Sequence, residues 1–221
     1  MISYPYHNPE SSPPSSSVAT VYFVGSVISN VLNMKYPADA DAMLLTGFAL
    51  IFPTNEIGIA TQALLLPDNI SDPRYAQQSP GYLVFNSRTD FNYLFYYTPE
   101  TDPNLQNLDY AIRGTFAIGE AATAALPSQN ATAYKNPVLI VTGSHDAFFC
   151  SFLSLDLEVL TGEPPDCDTS SSGPAAMTQT LYPAAKSFTF MTPDAGHWWH
   201  LHENAYASFV AVHQWIRSQG F

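Results

Sequence analysis

Four short runs of this chain are dominated by apolar residues that follow one another without regular polar alternation. They are Val18 to Val24 (VATVYFV), Asp41 to Phe48 (DAMLLTGF), Pro137 to Gly143 (PVLIVTG) and Ser187 to Thr192 (SFTFMT). Each has the length and the β-branched or aromatic content of a strand. A strand with no polar face must be covered on both sides, which parallel sheets achieve by laying helices across each face. Long helical or irregular segments, and no hairpin turns, separate the runs. The expected class is therefore α/β, a parallel sheet with flanking helices.

The connections sharpen this. Ser26 to Tyr36 has a helical period in Val27, Ile28, Val31, Leu32 and Met34 and stops at Pro37. Glu203 to Gln219 puts Ala205, Tyr206, Phe209, Val210, His213 and Ile216 on one face, with Gly220 as C-cap. That face is expected to pack on the sheet, with His213 as a packing residue. The second and third strands lie too far apart for an ordinary crossover, so residues of about 50–135 are expected to form an inserted cap. Tyr82, Phe85, Phe91, Tyr93, Phe95, Tyr96 and Tyr97 crowd one stretch of it. Those rings suit a small core, an apolar substrate wall, or both. Residues 1–17 are rich in Ser and Pro and read as a disordered tail, leaving 18–221 as the folded unit.

Seven Lys+Arg against 19 Asp+Glu give a formal charge of −12, which repels phosphate backbones and anionic membranes and argues against a nucleic-acid partner. No apolar run is long enough to span a bilayer, and the first residues lack the pattern of a signal peptide. Two sequons, Asn69-Ile-Ser71 and Asn130-Ala-Thr132, and two cysteines, Cys150 and Cys167, would nevertheless suit a secreted protein with one disulfide. Localisation and oligomeric state are left open.

Two residues stand where open α/β sheets hold functional groups, just past the ends of strands. Asp146 follows the third run in PVLIVTGSHDAFF, and His197 follows the fourth in SFTFMTPDAGHWWHLHENA. A carboxylate can fix the tautomer of an imidazole and stabilise its protonated form, freeing the other ring nitrogen to take a proton from a nucleophile. Alone, Asp146 could equally cap a turn or helix. His197, His200, His202 and Glu203 are close in sequence but do not form the H-E-x-x-H pattern, so no metal is expected, and no organic cofactor is implied.

With VYFVG, SVISNVLNMKYPADADAMLLTGF, NPVLIVTGSHDAFFC and FTFMTPDAGHWWHLHENA, the chain resembles the α/β-hydrolase superfamily, most closely fungal hydrolases with an aromatic cap. The resemblance runs from about Val18 to the C-terminus and is weakest across the cap. It implies Asp146 as triad acid, His197 as base, and hydrolysis of a small apolar ester, lactone, thioester or amide. It also implies a G-x-S-x-G elbow after the first strand, and that motif occurs nowhere in the chain. Phe23-Val24-Gly25 instead runs into Ser26-Val27-Ile28-Ser29-Asn30. Ser26 is then the substitute candidate nucleophile, just past the turn, although Val27 and Ile28 lack the small side chains a tight turn needs.

The resemblance further implies a partial fold. The earlier strands and the second oxyanion donor have no counterpart before Val18, and an uncovered apolar edge strand invites aggregation. Three outcomes stay open: a truncated or misassembled hydrolase, an inactive relative that keeps an apolar-ligand pocket, or an enzyme using Ser26 or an unusual nucleophile.

Overall fold

The computed structural model describes residues 17–50, 64–65, 72–85, 87–120, 128–150 and 166–221. The tail expected over residues 1–17, Ser17 apart, and the Asn69 sequon lie outside them. Asn130, of the other sequon, is exposed.

Four strands form a parallel sheet: β1 (Val18–Tyr22), β2 (Ala42–Thr46), β6 (Val138–Val141) and β7 (Phe188–Met191), in the order β1-β2-β6-β7. Alanine 42 lies opposite Val18, and Ile140 lies opposite both Leu45 and Phe190. The two central strands are buried along their whole length. Alternate residues therefore feed two separate layers. Met43, Leu45, Val138 and Ile140 join Phe148, Tyr134 and Tyr182 on one side. Ala42, Leu44, Leu139 and Val141 meet Val212 and Trp215 on the other. Each fully buried Leu, Ile or Val contributes about 1.5–3 kcal/mol.

The first strand departs from expectation. β1 ends at Tyr22, before Val24, and is half-buried with Thr20 exposed, because among the described residues it pairs on one side only, with β2. Helix α1 (Val24–Lys35) begins two residues earlier than its apolar period suggests. Its expected face is also turned. Ser26, Asn30 and Asn33 point inward, while Ile28 and Leu32 are 55% and 46% exposed. The buried polar groups are bonded: the Asn30 amide donates to the Gln129 carbonyl and the Tyr182 hydroxyl at 2.9 and 3.0 Å. Satisfied this way, they cost far less than their polarity suggests.

The long connection after β2 holds a second, antiparallel sheet of β3 (Leu64–Leu65), β4 (Tyr82–Phe85) and β5 (Phe116–Ala117), in the order β3-β4-β5. Helix α2 (Arg88–Phe95) starts where the Ser87 hydroxyl accepts from the Asp90 amide, and α3 (Pro103–Ile112) starts on Asp102 with proline in its first turn. α2 buries Phe91, Tyr93, Leu94 and Phe95, so the aromatic stretch is a packed cluster.

A short helix, α4 (Pro174–Met177), precedes β7, and α5 (Ala205–Ser218) closes the chain, with Gly220 at φ 94° just past it. The buried stripe of α5 is Ala205, Ser208, Val212 and Trp215. Tyr206, Phe209, Val210 and His213 are exposed, so His213 is not a packing residue. The larger indole of Trp215 and its partner Val212 set the rotation. Cys150 and Cys167 are joined as a disulfide.

Candidate active site

Asp146 and His197 reach each other because the loops after β6 and β7 are zipped together. The Ser144 amide donates to the Pro193 carbonyl at 2.8 Å, the His145 amide to the Ala195 carbonyl at 2.9 Å, and the His145 ring meets the Asp194 carboxylate at 2.8 Å. The loops touch so closely at Gly143 that a Cβ there would lie 2.1 Å from the Ala195 carbonyl oxygen and 2.2 Å from that of Gly196.

Within this frame the Asp146 carboxylate is fully engaged. Its Oδ2 takes the Thr142 hydroxyl at 2.7 Å and His197 Nδ1 at 2.8 Å, and its Oδ1 takes the Phe148 amide at 2.9 Å. Both side chains are wholly buried. The carboxylate assigns the Nδ1 proton to His197, which leaves Nε2 as the bare nitrogen, and Nε2 has no partner among the described residues. The Tyr22 hydroxyl holds the His197 backbone carbonyl at 2.9 Å, and burial first, then the charge of Asp146, pushes the Tyr22 phenol well above its ordinary range. Rings of Phe23, Phe148 and Tyr22 wall the imidazole at 4.5, 4.6 and 5.2 Å between centroids. Gly47, at φ 53°, completes the wall: a Cβ there would lie 2.9 Å from both the His197 and the Tyr22 rings.

His202 fastens this loop to the aromatic cluster. Its Nε2 accepts from the Gly196 and Tyr97 amides at 2.9 and 3.0 Å, while its Nδ1 donates to the Trp198 carbonyl at 3.0 Å. Protonation at Nε2 would break two of these bonds. Burial accordingly lowers His202 to about 4, against about 6.5 in an unfolded chain. Between those values the unfolded chain binds more protons, so stability rises with pH there. His202 is expected to contribute its full share above about pH 6.5 and to lose up to about 3 kcal/mol as the pH falls toward 4. Urea melts from pH 7 to 4.5 measure this, and His202→Gln should remove that part of the slope; an unchanged slope would contradict it.

Ser26 is not brought to this pair. Its side chain is buried, and its hydroxyl lies 2.8 Å from the Thr46 carbonyl and 3.1 Å from that of Val21, so its proton is committed to backbone. The residue that does reach His197 is Phe23, which sequence reasoning passed over as part of a strand. Phe23 alone links β1 to α1, at φ 48° and ψ −114°, and is the one non-glycine residue with positive φ among those described. Such a conformation costs a non-glycine residue about 1–3 kcal/mol. A one-residue strand-to-helix turn with positive φ is thus present within Val21-Tyr22-Phe23-Val24-Gly25, without the G-x-S-x-G residues.

A cavity of about 1010 Å³ lies against the site, bordered by Phe23, Phe91, Phe95, Phe148 and Trp198, and reaching Phe209 of α5. Its lining suits an apolar ligand. Among the described residues no three His, Cys, Asp or Glu side chains gather as a metal site, and no helix is long and apolar enough to cross a membrane.

No protein-family model matches the chain, and no curated protein matches its sequence. Solved structures do resemble it. A methylesterase from Arabidopsis is 10% identical at a TM-score of 0.52, over 93% of this chain and 71% of that one. A monoacylglycerol lipase from Paleococcus ferrophilus is 14% identical at 0.53, over 93% and 69%. A thermophilic esterase from Thermogutta terrifontis is 16% identical at 0.52, over 93% and 66%. At these identities the likeness is one of fold, and the chain spans between 66% and 71% of the length of these neighbours.

Proposed function

We propose that this chain, which has the α/β-hydrolase fold, carries the acid and base of an acyl-transfer site. Asp146 orients His197, and Nε2 of His197 is the proton acceptor. The parental reaction is hydrolysis of an apolar ester, lactone, thioester or amide held under a cap of about residues 50–135. The observation that carries this is the buried 2.8 Å contact between Asp146 and His197 Nδ1, with Nε2 left unpartnered among the described residues. The cap is supported by α2, whose Phe95 packs on Phe148 and His197 at 5.3 and 5.8 Å.

A second observation qualifies what the present chain does. Among the described residues no hydroxyl or thiol bonds Nε2, and the Ser26 proton is committed elsewhere. This favours an inactive relative that binds an apolar carbonyl compound in the aromatic cavity without turning it over. The test is titration with a medium-chain p-nitrophenyl ester, read by the fluorescence of Trp198 and Trp199, which border the cavity. A saturable change is expected, with hydrolysis no faster than in His197→Ala. Hydrolysis that depends on His197 would instead make the chain an active enzyme. No saturable change would remove the ligand-binding reading.

A further inference from the structure

We propose that Phe23 occupies the nucleophile position of this site, so that the chain is silenced by one side chain at an intact turn. The inference rests on the reading of Asp146 and His197 as acid and base. Three observations meet at this residue. Its backbone is pinned on both sides: the Phe23 amide donates to the Thr46 carbonyl at 2.9 Å, and its carbonyl accepts from Ser26 and Val27 at 2.8 and 3.1 Å. These bonds fix a left-handed conformation that a phenylalanine rarely adopts, and strain of this kind persists where the surroundings impose it. Its side chain stands edge-on to the His197 ring at 4.5 Å between centroids and borders the cavity, on the imidazole whose Nδ1 is taken by Asp146 and whose Nε2 has no partner among the described residues.

A nucleophile paired with a base needs that base within hydrogen-bond reach and oriented by a third group. A short side chain bearing sulfur or oxygen on the Phe23 backbone meets both needs. The phenyl ring, at 4.5 Å from the imidazole between centroids, carries no proton to give and meets neither.

Phe23→Cys, alkylated with iodoacetamide between pH 5 and 9, tests this without calling on an oxyanion hole. The native cysteines are bonded to each other and do not compete. In the reaction the thiol proton passes to His197 Nε2, the sulfur–carbon bond forms, the carbon–iodine bond breaks and iodide leaves. At pH 6 alkylation is expected to be at least about 10-fold faster in Phe23→Cys than in Phe23→Cys with His197→Gln, since a thiol beside an imidazole ionises early. Equal rates in folded variants would overturn the proposal. Rates that depend on His197 but not on Asp146→Asn would uphold it while refuting the acid assignment of Asp146. Should the variants not fold, nuclear Overhauser contacts between the Phe23 and His197 rings in the native chain are expected, and their absence would overturn it.

Discussion

Gly143→Ala is expected to lower the melting temperature by about 10 °C or more. The added Cβ would meet the carbonyl oxygens of Ala195 and Gly196 at 2.1 and 2.2 Å and the Ala195 carbonyl carbon at 2.8 Å. All three are backbone atoms, and the loop that carries them is held by the Ser144 and His145 amides. It cannot give way without undoing the junction that brings Asp146 to His197. Overpacking in a core typically costs about 1–3 kcal/mol. An unyielding backbone clash should exceed that, at about 4 kcal/mol or more. Against a total stability of about 5–15 kcal/mol for a domain of this kind, such a loss takes from about a quarter to most of it. Thermal melts followed by circular dichroism measure it. A variant melting within a few degrees of the native chain would mean that the two loops are not packed as described.

The second large effect belongs to Asp146. Asp146→Ala would strip the acceptor from the Thr142 hydroxyl, the Phe148 amide and the Nδ1 proton of His197, all of them buried. Breaking a buried pair from one side costs about 3–5 kcal/mol, much of it the price of orphaned groups. Asp146→Asn keeps the shape and can still accept one bond, so its loss should be smaller, about 1–2 kcal/mol. It should also reverse the His197 tautomer, because an amide nitrogen facing Nδ1 donates and moves the ring proton to Nε2. Urea melts separate the two stabilities, and nitrogen NMR of the imidazole reads the tautomer. Equal, small losses in both variants would mean that the carboxylate matters to neither.

The strands were legible because consecutive apolar residues suit a doubly covered strand, as β2 and β6 are; β2, β6 and β7 fall within two residues of their runs, although β7 is half-buried with Thr189 exposed. Asp146 and His197 were legible as candidates from their place past strand ends, which is where the structure joins them. The faces of α1 and α5 were not. Ser26 and Asn30 can turn inward only because Thr46, Gln129 and Tyr182, remote in sequence, supply their partners. On α5 the competition between Trp215 and Phe209 for the sheet is decided by the Val141 and Leu139 side of the core, not by local period. Phe23 was the least legible residue. Nothing in its type announces a positive φ, and residue preference argues against one. The hydrogen bonds that impose it come from β2 and from the first turn of α1. A search for a G-x-S-x-G string passes over Phe23, whose positive φ is set by other residues.

On the proposed reading, the described residues hold an acid and a base with no nucleophile in place. Labelling the folded native chain with a fluorophosphonate, followed by mass-spectrometric mapping, tests it most directly. No modified serine is expected, Ser26 included, because its hydroxyl is buried and bonded to the Val21 and Thr46 carbonyls. Labelling at Ser26 that disappears in His197→Ala would contradict the claim and make the chain a working serine hydrolase.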